Sequence, residues 1–235
     1  MGGGPPGLLH VSIPDVDSIS GVKGIDVVAG IYEGGAKVWE CTNDVLSFMM
    51  MMMPRDAADG DKHVLDLGCG TGMLGTAALK QGAQKVTFTD LNASVLRSIT
   101  CANVCANGDD FYKRVRFIAG DWDALLIAAT TAAAATTEDM SSAAKIGRFQ
   151  VILSSEILYR PEHYHTLCLI FLALLAPHGF ALIGTKRFYF GEGLRGGTAV
   201  FCSAALSHDL TATVVHSVIG DGLARDVLKV MRREE

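Results

Sequence analysis

Nowhere in the 235 residues do about 18 apolar side chains follow one another, and the Met49 to Met53 run is cut off by Pro54-Arg55. No membrane-spanning helix and no membrane partner are expected. Basic charge is also scarce: 20 Lys and Arg stand against 25 Asp and Glu, a net charge of -5. That balance leaves no broad positive field for a polyanion and disfavours general nucleic-acid binding. Among the six cysteines (Cys41, Cys69, Cys101, Cys105, Cys168, Cys202) there is no CxxC pair. Cys101 and Cys105 merely share one side of a helix. The histidines have no ligand spacing beyond His163-x-His165, so no metal site is expected. Free thiols fit a reducing compartment, cytoplasmic or nuclear. Met1 to Gly7 is Gly/Pro-rich without the basic-then-apolar form of a secretory signal, and residues 1–24 read as a flexible segment.

What is present is one core's worth of apolar residues, 49% of the chain, enough for a single domain over residues 25–235. Short apolar runs alternate with helical spacing. Val64 to Leu67 is a strand that ends in glycines, and Met73 to Gln81 is a helix. Lys85 to Thr89 is a second strand, followed by a helix from Ala93 to Cys105 with Val95, Ile99 and Ala102 on one face. Val115 to Ala119 and Phe149 to Leu153 are the third and fourth strands. Between them the Ala/Thr/Ser-rich stretch 128–144 reads as a partly helical insertion or a loop. A helix over Glu162 to Leu175 stops at Ala176-Pro177-His178-Gly179, and Phe180 to Thr185 is a fifth strand. A helix over Thr198 to Ser207 then precedes two strands, Leu210 to Ile219 and Ala224 to Met231, whose short Gly220-Asp221-Gly222 connection demands an antiparallel hairpin. The pattern predicts a doubly wound α/β fold: a mainly parallel sheet, helices on both faces and an antiparallel hairpin at its C-terminal end. Ligands of such sheets sit at the carboxyl ends of the strands.

The polar clusters fall at those ends. Asp66-Leu67-Gly68-Cys69-Gly70-Thr71-Gly72 lets the backbone bend sharply and approach a ligand closely. Asp90, with Leu91 and Asn92 behind it, ends the next strand, where a carboxylate accepts hydrogen bonds from a ribose diol. Gly70 to Gly75 also matches GxGxxG literally, so a nicotinamide dinucleotide has to be weighed, though that pattern alone is weak. The acidic residue ahead of the first glycine favours S-adenosylmethionine, which carries an ammonium group and no pyrophosphate. Gly120-Asp121-Trp122 closes the third strand. Asp121 is placed to accept the adenine amino proton and Trp122 to pack on the base, or the two are a helix N-cap and a core aromatic. Asn103 is a weaker candidate.

Gly30 to Thr42, with Trp39 and Glu40 inside it, resembles the region ahead of the first core strand in the protein-histidine methyltransferases of the methyltransferase-like family 16 group. Val64 to Gly72, Thr89 to Asn92, Ser154-Ser155-Glu156-Ile157-Leu158-Tyr159 and Lys186 to Gly191 extend the resemblance over most of residues 28–200. It implies a seven-stranded class I methyltransferase sheet, S-adenosylmethionine as donor and S-adenosylhomocysteine as product. It further implies a histidine ring nitrogen as acceptor, in a protein that is typically ribosomal. Trp39, Glu40, Gly68, Asp90 and Asp121 are implied to line the cofactor site. With the loop reading, the expected cofactor set is Trp39, Glu40, Asp66, Gly68, Cys69, Gly70, Gly72, Asp90, Leu91, Asn92, Gly120, Asp121, Trp122 and Ser154. A monomer is expected. The insertion at 128–144 and the short N-terminal region depart from the family.

Methyl transfer from a sulfonium is an in-line displacement that rests on positioning. Neutral imidazole, with a pKa of about 6.5, already carries a lone pair, whereas lysine, near about 10.4, must first lose a proton. A histidine acceptor therefore needs tautomer control. Glu156 is the first candidate to grip the ring, with Tyr159 or the Phe188-Tyr189-Phe190 loop beside it, and helix capping or packing as the simpler roles. Lys186-Arg187 could meet an acidic peptide or an RNA phosphate, or form a solvated pair. Two other functions stay open: a lysine methyltransferase of the same group, and a cofactor-binding chaperone of a ribosomal protein. Lysine-directed relatives usually carry Asp-x-x-Tyr where this chain has Glu156 to Tyr159.

Overall fold

His63–Leu67 (β1) is buried along four of its five residues, because helices cover both faces of the sheet at this strand. The computed structural model describes residues 34–52, 62–134, 146–190, 195–220 and 222–233. In chain order the elements are α1 (Glu40–Met52), β1, α2 (Met73–Lys80), β2 (Lys85–Asp90), α3 (Ala93–Val95), α4 (Cys101–Asn107), β3 (Val115–Ala119), α5 (Trp122–Ala134), β4 (Phe149–Ser155), α6 (Tyr164–Leu174), β5 (Leu175–Lys186), α7 (Thr198–Leu206), β6 (Leu210–Val218) and β7 (Arg225–Arg232). A π-helical turn, Leu96–Thr100, joins α3 to α4, and short 3-10 turns precede β3 and α6.

The seven strands run in the order β3-β2-β1-β4-β5-β7-β6. Pairings from β3 across to β5 are parallel, while β7 is antiparallel to both β5 and β6. This is the expected doubly wound sheet with its C-terminal hairpin. The chain reverses direction across the sheet between β1 and β4, which opens a crevice at their carboxyl ends.

Successive strand residues alternate between two cores. Val64, Val151, Leu153 and Leu182 pack with Val45, Phe48 and Met49 of α1 and Leu74 and Ala78 of α2. Leu65, Ile152 and Ile183 pack with Leu125, Leu167, Phe171 and Phe201 from α5, α6 and α7. Side chains on a strand point alternately to opposite faces, so one register builds both layers.

Four features depart from the periodicity. Helix α1 is unforeseen: its last residues read as a truncated apolar run, yet Val45, Phe48 and Met49 are buried while Met50, Met51 and Met52 are exposed. Bidentate contacts from Arg225 to Asp44, at 2.6 and 3.3 Å, tie α1 to β7. The π turn adds a residue to the second helical stretch and rotates the residues beyond it. Ala102, expected on the inner face with Val95 and Ile99, is exposed, and Asn103 and Val104 are buried instead. Ala176-Pro177-His178-Gly179 does not separate helix from strand: β5 starts at Leu175 and absorbs the segment as an irregularity, with His178 at φ 60°. Finally, α5 begins at Trp122, where the periodicity predicted no helix, and runs on through residues 128–134 of the Ala/Thr-rich stretch read as partly helical or a loop. The rest of that stretch, like the N-terminal segment 1–24, lies outside the described residues.

Candidate active site

A cavity of about 600 Å³ opens at the carboxyl ends of β1, β2, β3 and β4. Its floor is the β1–α2 loop. Gly70 adopts φ 50°, and a Cβ there would stand 2.8 Å from the Gly35 carbonyl oxygen. Only glycine tolerates both the left-handed backbone and that approach. The loop is pinned from behind by groups on the π turn and α4. Thr100 donates to the Gly70 carbonyl at 2.7 Å, and Asn103, fully inside, donates to the Thr71 carbonyl at 3.0 Å. The sequence offered little sign of either role, since the π turn that aims them has no clear periodic signature.

Two carboxyls flank the loop. Asp90 accepts from the Gly70 and Asn92 backbone N–H groups, each at 3.0 Å. Asp66 is 1% exposed and accepts from the Gly75 N–H at 2.8 Å. Burial is the main reason both are pushed above the usual carboxylate range, Asp66 to about 8. A cation arriving here would return them to the ionised form. Across the cavity, the half-buried Trp122 lies over Gly68, where an added Cβ would meet its ring at 3.3 Å. Asp121 accepts from the Ala124 N–H at 2.7 Å and so caps α5 while also lining the cavity.

The opposite wall comes from the segment before α1 and the one after β4. Trp39 donates through Nε1 to the Gly34 carbonyl at 3.1 Å, with Lys37 4.5 Å and Lys186 5.6 Å from its ring. The Thr42 and Ser155 hydroxyls, 113 residues apart, meet at 2.8 Å. Glu156 has φ 58° and its backbone N–H donates to the Gly184 carbonyl. Its side chain is 8% exposed. Tyr189 donates to its Oε2 at 2.5 Å, whereas Oε1 is buried without a hydrogen-bond partner, 3.9 Å from Lys186 Nζ. Burial pushes the Tyr189 phenol and the Cys41 thiol up, and the charge of Glu156 reinforces both shifts. Tyr159 and Arg160 line the mouth, the guanidinium 5.6 Å from the Tyr159 ring.

Of the expected residues, Trp39, Asp66, Gly68, Cys69, Gly70, Asp90, Leu91, Gly120, Asp121, Trp122, Glu156 and Tyr159 come together on the cavity wall. Gly72 and Asn92 stand just behind it, at the α2 and α3 N-termini. Glu40, 62% exposed, faces outward and pairs with Lys186 at 3.6 Å. Ser154 is fully buried and donates to the Leu67 carbonyl, so its neighbour Ser155 is the one on the wall. Lys186 and Arg187 do not form a solvated pair. The first turns into the site, and the second is clamped by Asp226 at 2.7 and 3.1 Å. Lys37, Thr42 and Ser155 also stand on the wall without having been anticipated, as do Asp123, Arg160, Glu162, His163 and Thr166. Among the described residues, no cluster of His, Cys, Asp and Glu could hold a metal.

Comparison with known proteins bears on the family and the fold. Residues 29–192 match the profile of methyltransferase family 16, described as lysine methyltransferase. The chain is 32% identical over 261 aligned residues to the histidine protein methyltransferase 1 homolog of Bos taurus, covering 96% of this chain and 66% of that protein. It is 33% identical to the homolog of Mus musculus, with 87% of this chain and 58% of the relative covered. The chain thus spans less than two thirds of the length of these relatives. Among solved structures, magnesium protoporphyrin IX methyltransferase from Synechocystis PCC 6803 with bound SAM superposes with a TM-score of 0.58 at 12% identity, over 83% of this chain and 80% of that one. That likeness concerns the fold.

Proposed function

This chain belongs to methyltransferase family 16, with the class I S-adenosylmethionine-dependent methyltransferase fold, and from that premise we propose that it methylates a histidine ring nitrogen in a protein. The observation that carries the acceptor reading is Glu156, which lines the cavity: one carboxylate oxygen is held by Tyr189, and the other is buried without a hydrogen-bond partner, 3.9 Å from Lys186 Nζ. Such a group accepts the proton-bearing nitrogen of an imidazole and leaves the second nitrogen's lone pair free.

When bound, S-adenosylmethionine supplies a methyl group on a sulfonium and leaves as the neutral thioether S-adenosylhomocysteine. The chain's residues fit it. The Gly68 to Gly72 loop leaves room for close approach, Asp90 stands where a ribose diol would be received, and Trp122 offers a face to a base. Asp66 suits the ammonium end. Trp39 and Tyr159 help exclude water around the acceptor, which strengthens every polar contact there. The acceptor protein is, on the resemblance of Gly30 to Thr42, a large-subunit ribosomal protein, and the free thiols suit a cytosolic or nuclear setting.

Incubation with labelled S-adenosylmethionine and a methyl-deficient ribosomal extract should label one protein, and mass spectrometry of it should find methylhistidine. The family profile's description favours lysine as the second reading. Methyllysine as the product would replace the histidine assignment, and no transfer at all would favour a non-catalytic cofactor-binding module.

Cofactor affinity should depend on pH through Asp66. Its folded pKa is raised, so the protein holds a proton there up to about 8, and a bound ammonium favours the ionised form. Affinity for S-adenosylhomocysteine should rise by up to about tenfold per pH unit towards pH 8 and then level off. Stability runs the other way. The unfolded chain loses this proton near 3.8, so the contribution of Asp66 is complete below that pH and is lost as pH rises through about 8. Calorimetry of wild type and Asp66→Asn checks the binding effect. A flat wild-type profile would exclude the linkage.

A further inference from the structure

We infer that Tyr189 is a positioning residue that selects which ring nitrogen of the acceptor histidine is methylated, by holding Glu156 through Oε2 so that Oε1 is the one carboxylate oxygen left without a hydrogen bond. This rests on the histidine reading above. Tyr189 lies behind the cavity wall, where it meets two of the lining residues, Glu156 through a hydrogen bond and Tyr159 through a ring contact, and the hydrogen bond is the one that fixes the carboxylate.

The phenol has a single proton, and its surroundings direct it. The Lys186 backbone N–H donates to the phenolic oxygen at 3.3 Å, and the Thr185 hydroxyl stands at the same distance. The proton therefore goes to Glu156 Oε2, at 2.5 Å. Burial, with the charge of Glu156 adding to it, raises the phenol and keeps it a donor at neutral pH.

The supports of Tyr189 are themselves anchored. Arg187, two residues earlier, is clamped by Asp226, which also accepts from Thr198 and Ser217 at 2.7 Å each. Asp226 is 1% exposed. The ring of Tyr189 also meets that of Tyr159, 6.3 Å away at 60°.

What Tyr189 removes is a specific freedom. The Glu156 backbone is fixed by its N–H to the Gly184 carbonyl, but the terminal torsion of a glutamate is broad and roughly two-fold. Without the phenol the carboxylate plane can turn, and the imidazole can be gripped through either nitrogen. With it, the acceptor point is a single buried atom, Oε1, whose charged neighbour at ion-pair distance, among the described residues, is Lys186 Nζ.

In the reaction the lone pair of the ungripped nitrogen forms the N–CH3 bond while the S–CH3 bond breaks, its electron pair staying on sulfur. The ring, now cationic, releases the proton of its gripped nitrogen through Glu156 Oε1 to water. The position of Oε1 decides which nitrogen is the gripped one.

The test is Tyr189→Phe, which keeps the ring and removes the hydroxyl. Wild type and variant are incubated with labelled S-adenosylmethionine and methyl-deficient ribosomal extract. The labelled protein is then hydrolysed and the two methylhistidine isomers are separated. Wild type should give one isomer. The variant should give both, with kcat lowered about tenfold, while S-adenosylhomocysteine binding by calorimetry stays within about twofold, which shows that the fold persists. A purely structural role would slow the variant without mixing the isomers. One isomer from the variant, at whatever rate, overturns the inference alone. No methylhistidine from the wild type overturns the acceptor reading and this inference together.

Discussion

Glu156→Gln should lower kcat about 100-fold or more while leaving S-adenosylhomocysteine affinity within about twofold. The reason lies in hydrogen-bond polarity. Tyr189 donates to Oε2 at 2.5 Å, so in the variant the amide oxygen is retained at that position and the amide NH2 takes the place of Oε1. A donor then faces the N–H of the acceptor imidazole, where an acceptor is required. Lys186 Nζ, 3.9 Å from Oε1, attracts the amide oxygen and so favours the reverse orientation, but that orientation would turn the NH2 onto the Tyr189 hydroxyl that donates at 2.5 Å. Side-chain volume is unchanged, and the hydrogen bonds of Glu156 go to Gly184 and Tyr189 rather than to the cofactor loop. Single-turnover methylation, read beside calorimetric binding, separates chemistry from affinity. Wild-type turnover in the variant would remove Glu156 from the reaction.

Gly70→Ala should weaken S-adenosylhomocysteine binding about 100-fold, the other large effect. Two costs coincide. A left-handed backbone at a non-glycine residue costs on the order of 1 kcal/mol. The new Cβ would also sit 2.8 Å from the Gly35 carbonyl oxygen, a backbone atom that cannot swing aside as a side chain does. Either the Gly34-Gly35 turn or the loop must move. Gly35 in turn packs near Asp90, 3.3 Å from an added Cβ to Oδ2, and the Gly70 N–H is what Asp90 holds at 3.0 Å. Displacement therefore spreads to the carboxylate proposed to receive the ribose. Gly82→Ala is the control: φ there is 99° and nothing lies within 4 Å. It should cost stability through backbone strain and leave binding untouched. Equal binding by Gly70→Ala and wild type in calorimetry would show that the loop is not the cofactor cradle.

The parts of the fold that were legible in the sequence are those whose signal is local. Val64 to Leu67 with its glycines, Lys85 to Thr89, and the antiparallel hairpin ahead of the C-terminus each combine periodicity with turn chemistry, and a strand or hairpin appears at each. The elements that were missed lack that local signal. Helix α1 hides its inner face behind a methionine run that is apolar all round, and its place depends on contacts with β7 from the far end of the chain. The π turn changes a helical face by a single residue, so Ala102 and Asn103 exchange inside for outside.

At the site the division is similar. Residues at strand ends reach the cavity because the strand carries them there, as with Asp66, Asp90 and Glu156. Residues one step off the wall were harder to sort. Ser154 and Ser155 are adjacent, and alternation along β4 sends one hydroxyl to Leu67 and the other to Thr42. Asp121 serves as a cap and lines the cavity at once, and spacing alone does not separate the two roles.

Local pattern by itself therefore determined the strand and helix alternation, the glycine bend and the carboxylates at the strand tips, because turn geometry and side-chain periodicity act over a few residues. Tertiary structure alone decided which oxygen of Glu156 is held and which is bare, that Lys186 turns inward while Arg187 is clamped, and that Thr100 and Asn103 brace the loop. Those outcomes depend on groups tens of residues apart in sequence, whose hydrogen bonds exist only once the sheet has brought them together.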